Sequence, residues 1–144
     1  MSLGPDDPCP CGGASYAACC RQRHDGSRPA ETAEALMRSR YSAFALCLPD
    51  YLQATHDVPA TTQGRRDLEA AARAVTWLGL TVHRAEQGGP DDQEGVVEFT
   101  ARSRDGRSLY ALHERSRFRR VAGRWRYVDG ECRLEQAPVG LRGR

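Results

Sequence analysis

The spacing of apolar residues changes once along the chain. In the first half Ala33, Leu36, Met37, Phe44 and Leu48 recur at helical intervals behind a candidate N-cap, Thr32, and predict a helix over 33–48. Pro49 closes that helix and opens a short second one over 50–55. Residues 58–64 read as a loop, after which Leu68, Ala71, Ala72 and Val75 place a further helix over 65–75. In the second half the alternation has period two, and 75–84, 95–103, 107–121 and 124–129 read as strands. Asp105-Gly106 and Ala122-Gly123 have the chemistry of two-residue hairpin turns. Helices followed by an antiparallel meander define an α+β class, with the helices covering one face of the sheet.

Counting outwards from the two turns gives a register. Ala101 then faces Tyr110, Phe99 faces Leu112, Val97 faces Glu114, Phe118 faces Tyr127 and Arg120 faces Trp125, all on the core side. The opposite side carries Glu98 beside His113, and the arginines Arg115, Arg117, Arg119, Arg124 and Arg126. Two charges interrupt the apolar faces. Glu114 sits within the strand stripe, and at about 100° per residue Arg40 falls at the centre of the helical stripe. A lone buried charge is very costly, so the two are expected to pair, with Ser116 and Tyr41 adding hydrogen bonds. This pair reads first as a structural link. The alternative is the polar wall of a ligand pocket, to which Tyr41, Trp77 and His56 would also belong.

Candidate chemistry is concentrated near the N-terminus. Four of the six cysteines, Cys9, Cys11, Cys19 and Cys20, fall within residues 9–20. Pro10 stiffens the first pair, Gly12 and Gly13 let the chain reverse, and Cys19-Cys20 returns two more sulfurs. Sulfurs so placed suit a tetrahedral Zn²⁺, with His24 as a substitute fourth ligand. Two disulfides, thiol redox chemistry or an iron–sulfur cluster are the competing readings. Residues 1–10 contain two aspartates and no apolar core, unlike a secretory signal, so a cytoplasmic protein with reduced thiols is expected. A closed four-thiolate shell leaves no position for substrate, which makes the site structural or partner-docking. Cys47 reads as a small apolar residue near the helix stripe.

A chain of 144 residues can bury one core. The expected division is a metal-stabilised element over 1–28, a body over 29–132 and a flexible tail over 133–144. Basic residues number 21, all arginine, against 19 acidic ones, a balance that disfavours a general polyanion binder. The longest strongly apolar run, 44–48, is too short to cross a bilayer.

The cysteine segment, from Cys9-Pro10-Cys11-Gly12 through Tyr16-Ala17 to Cys19-Cys20, resembles the SEC-C zinc motif. Further stretches are Leu36-Met37-Arg38-Ser39-Arg40-Tyr41, Thr55-His56, Trp77-Leu78-Gly79-Leu80, His113-Glu114-Arg115-Ser116 and Gly123-Arg124-Trp125-Arg126-Tyr127. Together they resemble the YchJ-type family of small bacterial proteins across most of the chain. The resemblance implies a SEC-C zinc element followed by a nuclear transport factor 2-like, cystatin-like body, in which a curved antiparallel sheet forms a cone around helices. The seven residues 12–18 between the second and third ligands are one fewer than in the usual motif, which leaves Cys20 and His24 as alternatives for the fourth.

Three functions follow as expectations. The first is a zinc-containing module that docks another protein. The second is a small-ligand or enzymatic pocket in the cone, although no nucleophile–base constellation or substrate motif is recognisable. The third is RNA or ribosome association through the arginine face. It is the weakest, because Phe118, Trp125 and Tyr127 belong to the core and cannot serve as a base-stacking platform.

Overall fold

The architecture follows from where each helix is stopped and each hairpin is turned. The computed structural model describes residues 3–4 and 6–137. In chain order the elements are α1 (Cys20–His24), α2 (Ala33–Leu46), α3 (Pro49–Ala54), α4 (Thr62–Arg73), β1 (Thr76–Gln87), β2 (Glu94–Asp105), β3 (Ser108–Val121) and β4 (Arg124–Ala137). Thr32 caps α2, its hydroxyl accepting the Ala35 N–H at 3.0 Å. The helix ends at Cys47, whose φ of 56° forms a left-handed cap. Thr61 caps α4 in the same way, accepting from Gly64 at 2.9 Å, so this helix starts at Thr62 rather than at residue 65.

The strands form one antiparallel sheet in the order β1-β2-β3-β4. The sheet is open: β1 and β4 are its two edges, and it does not close into the cone that the resemblance implied. Part of the β4 edge is occupied instead by the chain leaving α3. There Tyr127 donates its N–H to the Thr55 carbonyl and accepts from the Asp57 N–H, each at 2.8 Å.

The turn between β3 and β4 lies at Ala122-Gly123, with φ of 50° and 80°, and it pairs Phe118 with Tyr127 and Arg120 with Trp125 as counted. The turn between β2 and β3 differs from expectation. Gly106, at φ 62°, takes the first turn position and Arg107 the second, so that Asp105 pairs with Ser108. Every partner therefore moves by two: Ala101 faces Leu112, Phe99 faces Glu114 and Val97 faces Ser116. An even slip leaves each side chain on its original face, so the core side is unchanged. Strand β4 also runs further than expected. It continues to Ala137 opposite Leu109, so residues 133–137 are strand and not tail, while 138–144 lie outside the described residues.

Helix α2 is the hub. Leu36, Met37 and Tyr41 are buried in one cluster with Val97, Phe99, Ala101, Phe118 and Trp125 of the sheet, and that cluster also contains Cys9, Cys11 and Cys20. The cysteine segment thus shares the core of the body rather than hanging from it. The start of α2 is pinned to the β1–β2 hairpin by the Ala33 N–H, which donates to the Gly88 carbonyl at 2.9 Å.

Candidate metal centre and adjoining cavity

Short-range backbone geometry gathers the four sulfurs. The Gly12 N–H donates to the Cys9 carbonyl at 2.9 Å and the Cys9 N–H to Gly13 at 3.1 Å, which folds residues 9–13 into a tight turn. A Cβ at Gly13 would lie 2.7 Å from Cys19 Sγ, so only glycine lets the second cysteine pair approach. Cys9, Cys11, Cys19 and Cys20 consequently offer Sγ atoms all within 4.8 Å of one another. Cys11 and Cys19 are 3.6 Å apart, and Cys19 and Cys20 are 3.9 Å apart. A tetrahedron with Zn–S bonds of about 2.3 Å has sulfurs about 3.8 Å apart, whereas a disulfide needs about 2.0 Å. The donor set, its burial and its spacing fit a zinc ion.

Three residues of α2 seat this knot. Ser42 Oγ lies 3.3 Å from Cys20 Sγ and 3.5 Å from Cys9 Sγ, and Arg38 Nη1 donates to the Cys11 carbonyl at 3.1 Å. Ser39 receives the remainder of the segment through His24. Its carbonyl accepts from His24 Nε2 at 2.8 Å, which fixes the ring proton there and leaves Nδ1 to accept from the Tyr16 hydroxyl at 2.7 Å. Both His24 ring nitrogens are thus engaged, which makes it a strut between Tyr16 and α2, and the group of mutually close ligand atoms consists of the four cysteine sulfurs, Cys20 included.

Electrostatics within the thiol cluster are uneven. Hydrogen bonds from Cys11, then Cys20, with Ser42 adding, hold the Cys9 thiol far below its ordinary range. Burial, followed by its contact with Cys11, pushes Cys19 up to about 11. Cys20 is driven upwards by its hydrogen bonds with Cys11 and Cys9 and by burial. A thiol must lose its proton to ligate a metal, so a bound divalent cation would offset the mutual repulsion and burial that oppose ionisation at Cys19 and Cys20.

Beyond the knot, the sheet-facing side of α2 borders a cavity of about 350 Å³, which Arg40, Tyr41, His56, Trp77 and Glu114 all line. Arg40 and Glu114 do not form the direct pair expected from the sequence. Arg40 Nη1 donates to the Leu52 carbonyl and to Thr55 Oγ1, each at 2.7 Å, and the guanidinium carbon lies 4.9 Å from the centre of the Tyr127 ring. Glu114 Oε2 accepts from Ser116 at 2.6 Å and from the Tyr127 hydroxyl at 3.1 Å. Tyr127 is the intermediary that the sequence did not reveal. Tyr41 makes no hydrogen bond to Glu114; its ring packs edge-on against Trp77 at 5.9 Å. Burial pulls the Arg40 guanidinium down to about 10, and Tyr127, Tyr51 and Glu114 oppose that shift.

A model of the YchJ middle domain, described as nuclear transport factor 2-like, matches residues 32–130. The chain belongs to the UPF0225, or YchJ-like, family. It is 53% identical over 123 residues to a UPF0225 protein of Chromobacterium violaceum, covering 85% of this chain and 90% of the relative. A Streptomyces coelicolor UPF0225 protein is 46% identical over 128 residues, covering 88% and 97%. Two solved structures share the fold. The solution structure of a SEC-C motif containing protein from Rhodopseudomonas palustris has a TM-score of 0.75 at 36% identity, over 87% of this chain and 98% of that one. The crystal structure of a SEC-C motif containing protein from Psychrobacter arcticus gives 0.73 at 31%, over 87% and 82%.

The outer sheet face of this YchJ-like chain is largely self-neutralised. Arg117 forms a two-pronged pair with Asp129, Arg119 pairs with Asp57 at 2.6 Å, and Arg115 lies 3.4 Å from Glu86 and 3.7 Å from Glu98. Arg124 is exposed and Arg126 half-buried. His113 is opposite Thr100 rather than Glu98. A ladder of hydrogen bonds crosses four strands there: His83 Nε2 to Thr100 Oγ1 at 2.7 Å, Thr100 to His113 Nδ1 at 2.8 Å, and His113 Nε2 to Glu135 at 2.6 Å. Among the described residues, no helix is long and apolar enough to cross a membrane.

Proposed function

We propose that Cys9, Cys11, Cys19 and Cys20 hold a structural zinc ion, and that the zinc-stiffened knot docks another protein. The supporting observation is the set of four sulfurs within 4.8 Å, three of their residues buried, seated on α2. With four thiolates the coordination shell is full, so the ion supplies cross-linking rather than Lewis acidity. The knot turns Gly12, Ala18 and Arg21 outwards, a surface whose shape depends on the metal. Both solved relatives are described as SEC-C motif containing proteins, which supports reading residues 9–20 as that motif.

Affinity capture with the zinc-loaded chain, Cys19→Ser and Arg21→Glu tests this. A specific partner recovered by wild type and lost with both variants, while Arg21→Glu keeps its zinc, is the expected result. Equal recovery with Cys19→Ser would remove the docking role from the knot.

A further inference from the structure

The cavity beside α2 contains a cation whose hydrogen-bonding capacity is only partly used. Arg40 is 7% exposed. Its Nη1 makes both hydrogen bonds of the guanidinium, to Leu52 and Thr55, and among the described residues Nε and Nη2 make none. Yet among the described residues no fully enclosed side-chain nitrogen or oxygen lacks a partner. Nε and Nη2 are therefore not fully enclosed, and Arg40 lines this cavity. An Nε–Nη2 edge is the fork that receives a carboxylate through two parallel hydrogen bonds. Glu114 does not fill that role, since its Oε2 is taken by Ser116 and Tyr127 and it forms no ion pair with Arg40.

Much of the remaining wall is apolar, including Met37, Phe44, Leu68, Trp77 and Leu112, while Glu114, His56, Ser116 and Tyr127 supply its polar side. A volume of about 350 Å³ suits a small ligand with one polar end. We propose that this cavity binds a small apolar monocarboxylate, its carboxylate on the free edge of Arg40 and its chain or ring against Trp77 and Phe44. A buried guanidinium with two free donors selects an anion over a neutral or cationic head group of the same length, the Glu114 carboxylate on the same wall being already held by Ser116 and Tyr127. The zinc knot plays no part in this site.

Calorimetry and NMR titration of the zinc-replete protein with octanoate, 1-octanol and octylamine test the assignment. Octanoate is expected to bind saturably, shifting the Arg40 Nε–H and Trp77 indole signals. Octanol should bind at least about tenfold more weakly, the loss of one charge-assisted contact. Because Arg40→Met removes a buried helix anchor and risks unfolding, Ala71→Trp serves as the second variant: Ala71 is exposed on α4 yet borders the cavity. It should abolish octanoate binding while the remaining amide spectrum stays folded. Octylamine or octanol binding as tightly as octanoate, no saturable octanoate binding, or binding undisturbed by Ala71→Trp would each overturn the proposal.

Discussion

The Tyr127 ring lies against the Arg40 guanidinium, 4.9 Å from centroid to Cζ, so helix and sheet are joined through an aromatic face rather than an ion pair. The same residue donates its hydroxyl to Glu114 at 3.1 Å, and burial followed by Glu114 keeps that hydroxyl protonated by raising its pKa. Tyr127→Phe keeps the ring and removes the donor. It should lower stability by about 1–2 kcal/mol, read as a shifted urea midpoint, with zinc content unchanged. An unshifted midpoint would show that Ser116 alone satisfies the carboxylate.

Gly13 sets the compactness of the cysteine knot. In Gly13→Ala the new methyl would sit 2.7 Å from Cys19 Sγ and 3.2 Å from its Cβ, so one cysteine pair must withdraw. Zinc affinity, measured by competition with a chelator, should fall by about tenfold or more, in the range typical of altered metal surroundings. Unchanged affinity would mean that the knot is looser than its spacing indicates.

Two histidines make the fold sensitive to acid. Burial lowers His24 from the ordinary 6.5, and burial together with the nearby Arg40 lowers His56. Above pH 6.5 both are neutral whether folded or not, and neither affects the balance. Below it the unfolded chain binds protons first, so stability falls with pH until the depressed folded values are passed. Ring titrations by NMR should place both midpoints below 6.5, and a midpoint above it for either would contradict the account. His24→Gln should reduce the acid slope between pH 6.5 and the folded midpoint.

What the sequence revealed depended on the range of the interaction. The cysteine knot was legible because its four cysteines and its glycines lie within residues 9–20. The hairpins were legible from their glycines, but Gly106 can serve as either the first or second turn residue. The choice moved the β2–β3 register by two and hid the Thr100–His113 contact. Arg40 was placed correctly inside the fold, yet its mate was assigned by charge alone, and a tyrosine bridge carries no such signature. Nothing in the local pattern singles out Ser39 and Ser42, which are fully buried because the cysteine segment lies on them. The cone came from the family resemblance, and the partial covering of the β4 edge depends on where residues 55–57 dock, which no local pattern encodes.

Elemental analysis of protein purified without added metal tests the central claim most directly, with Cys19→Ser alongside. One zinc per chain in the native protein and its loss in the variant is the expected result. Native material that carries no zinc, with Cys9, Cys11, Cys19 and Cys20 joined as disulfides, would contradict it.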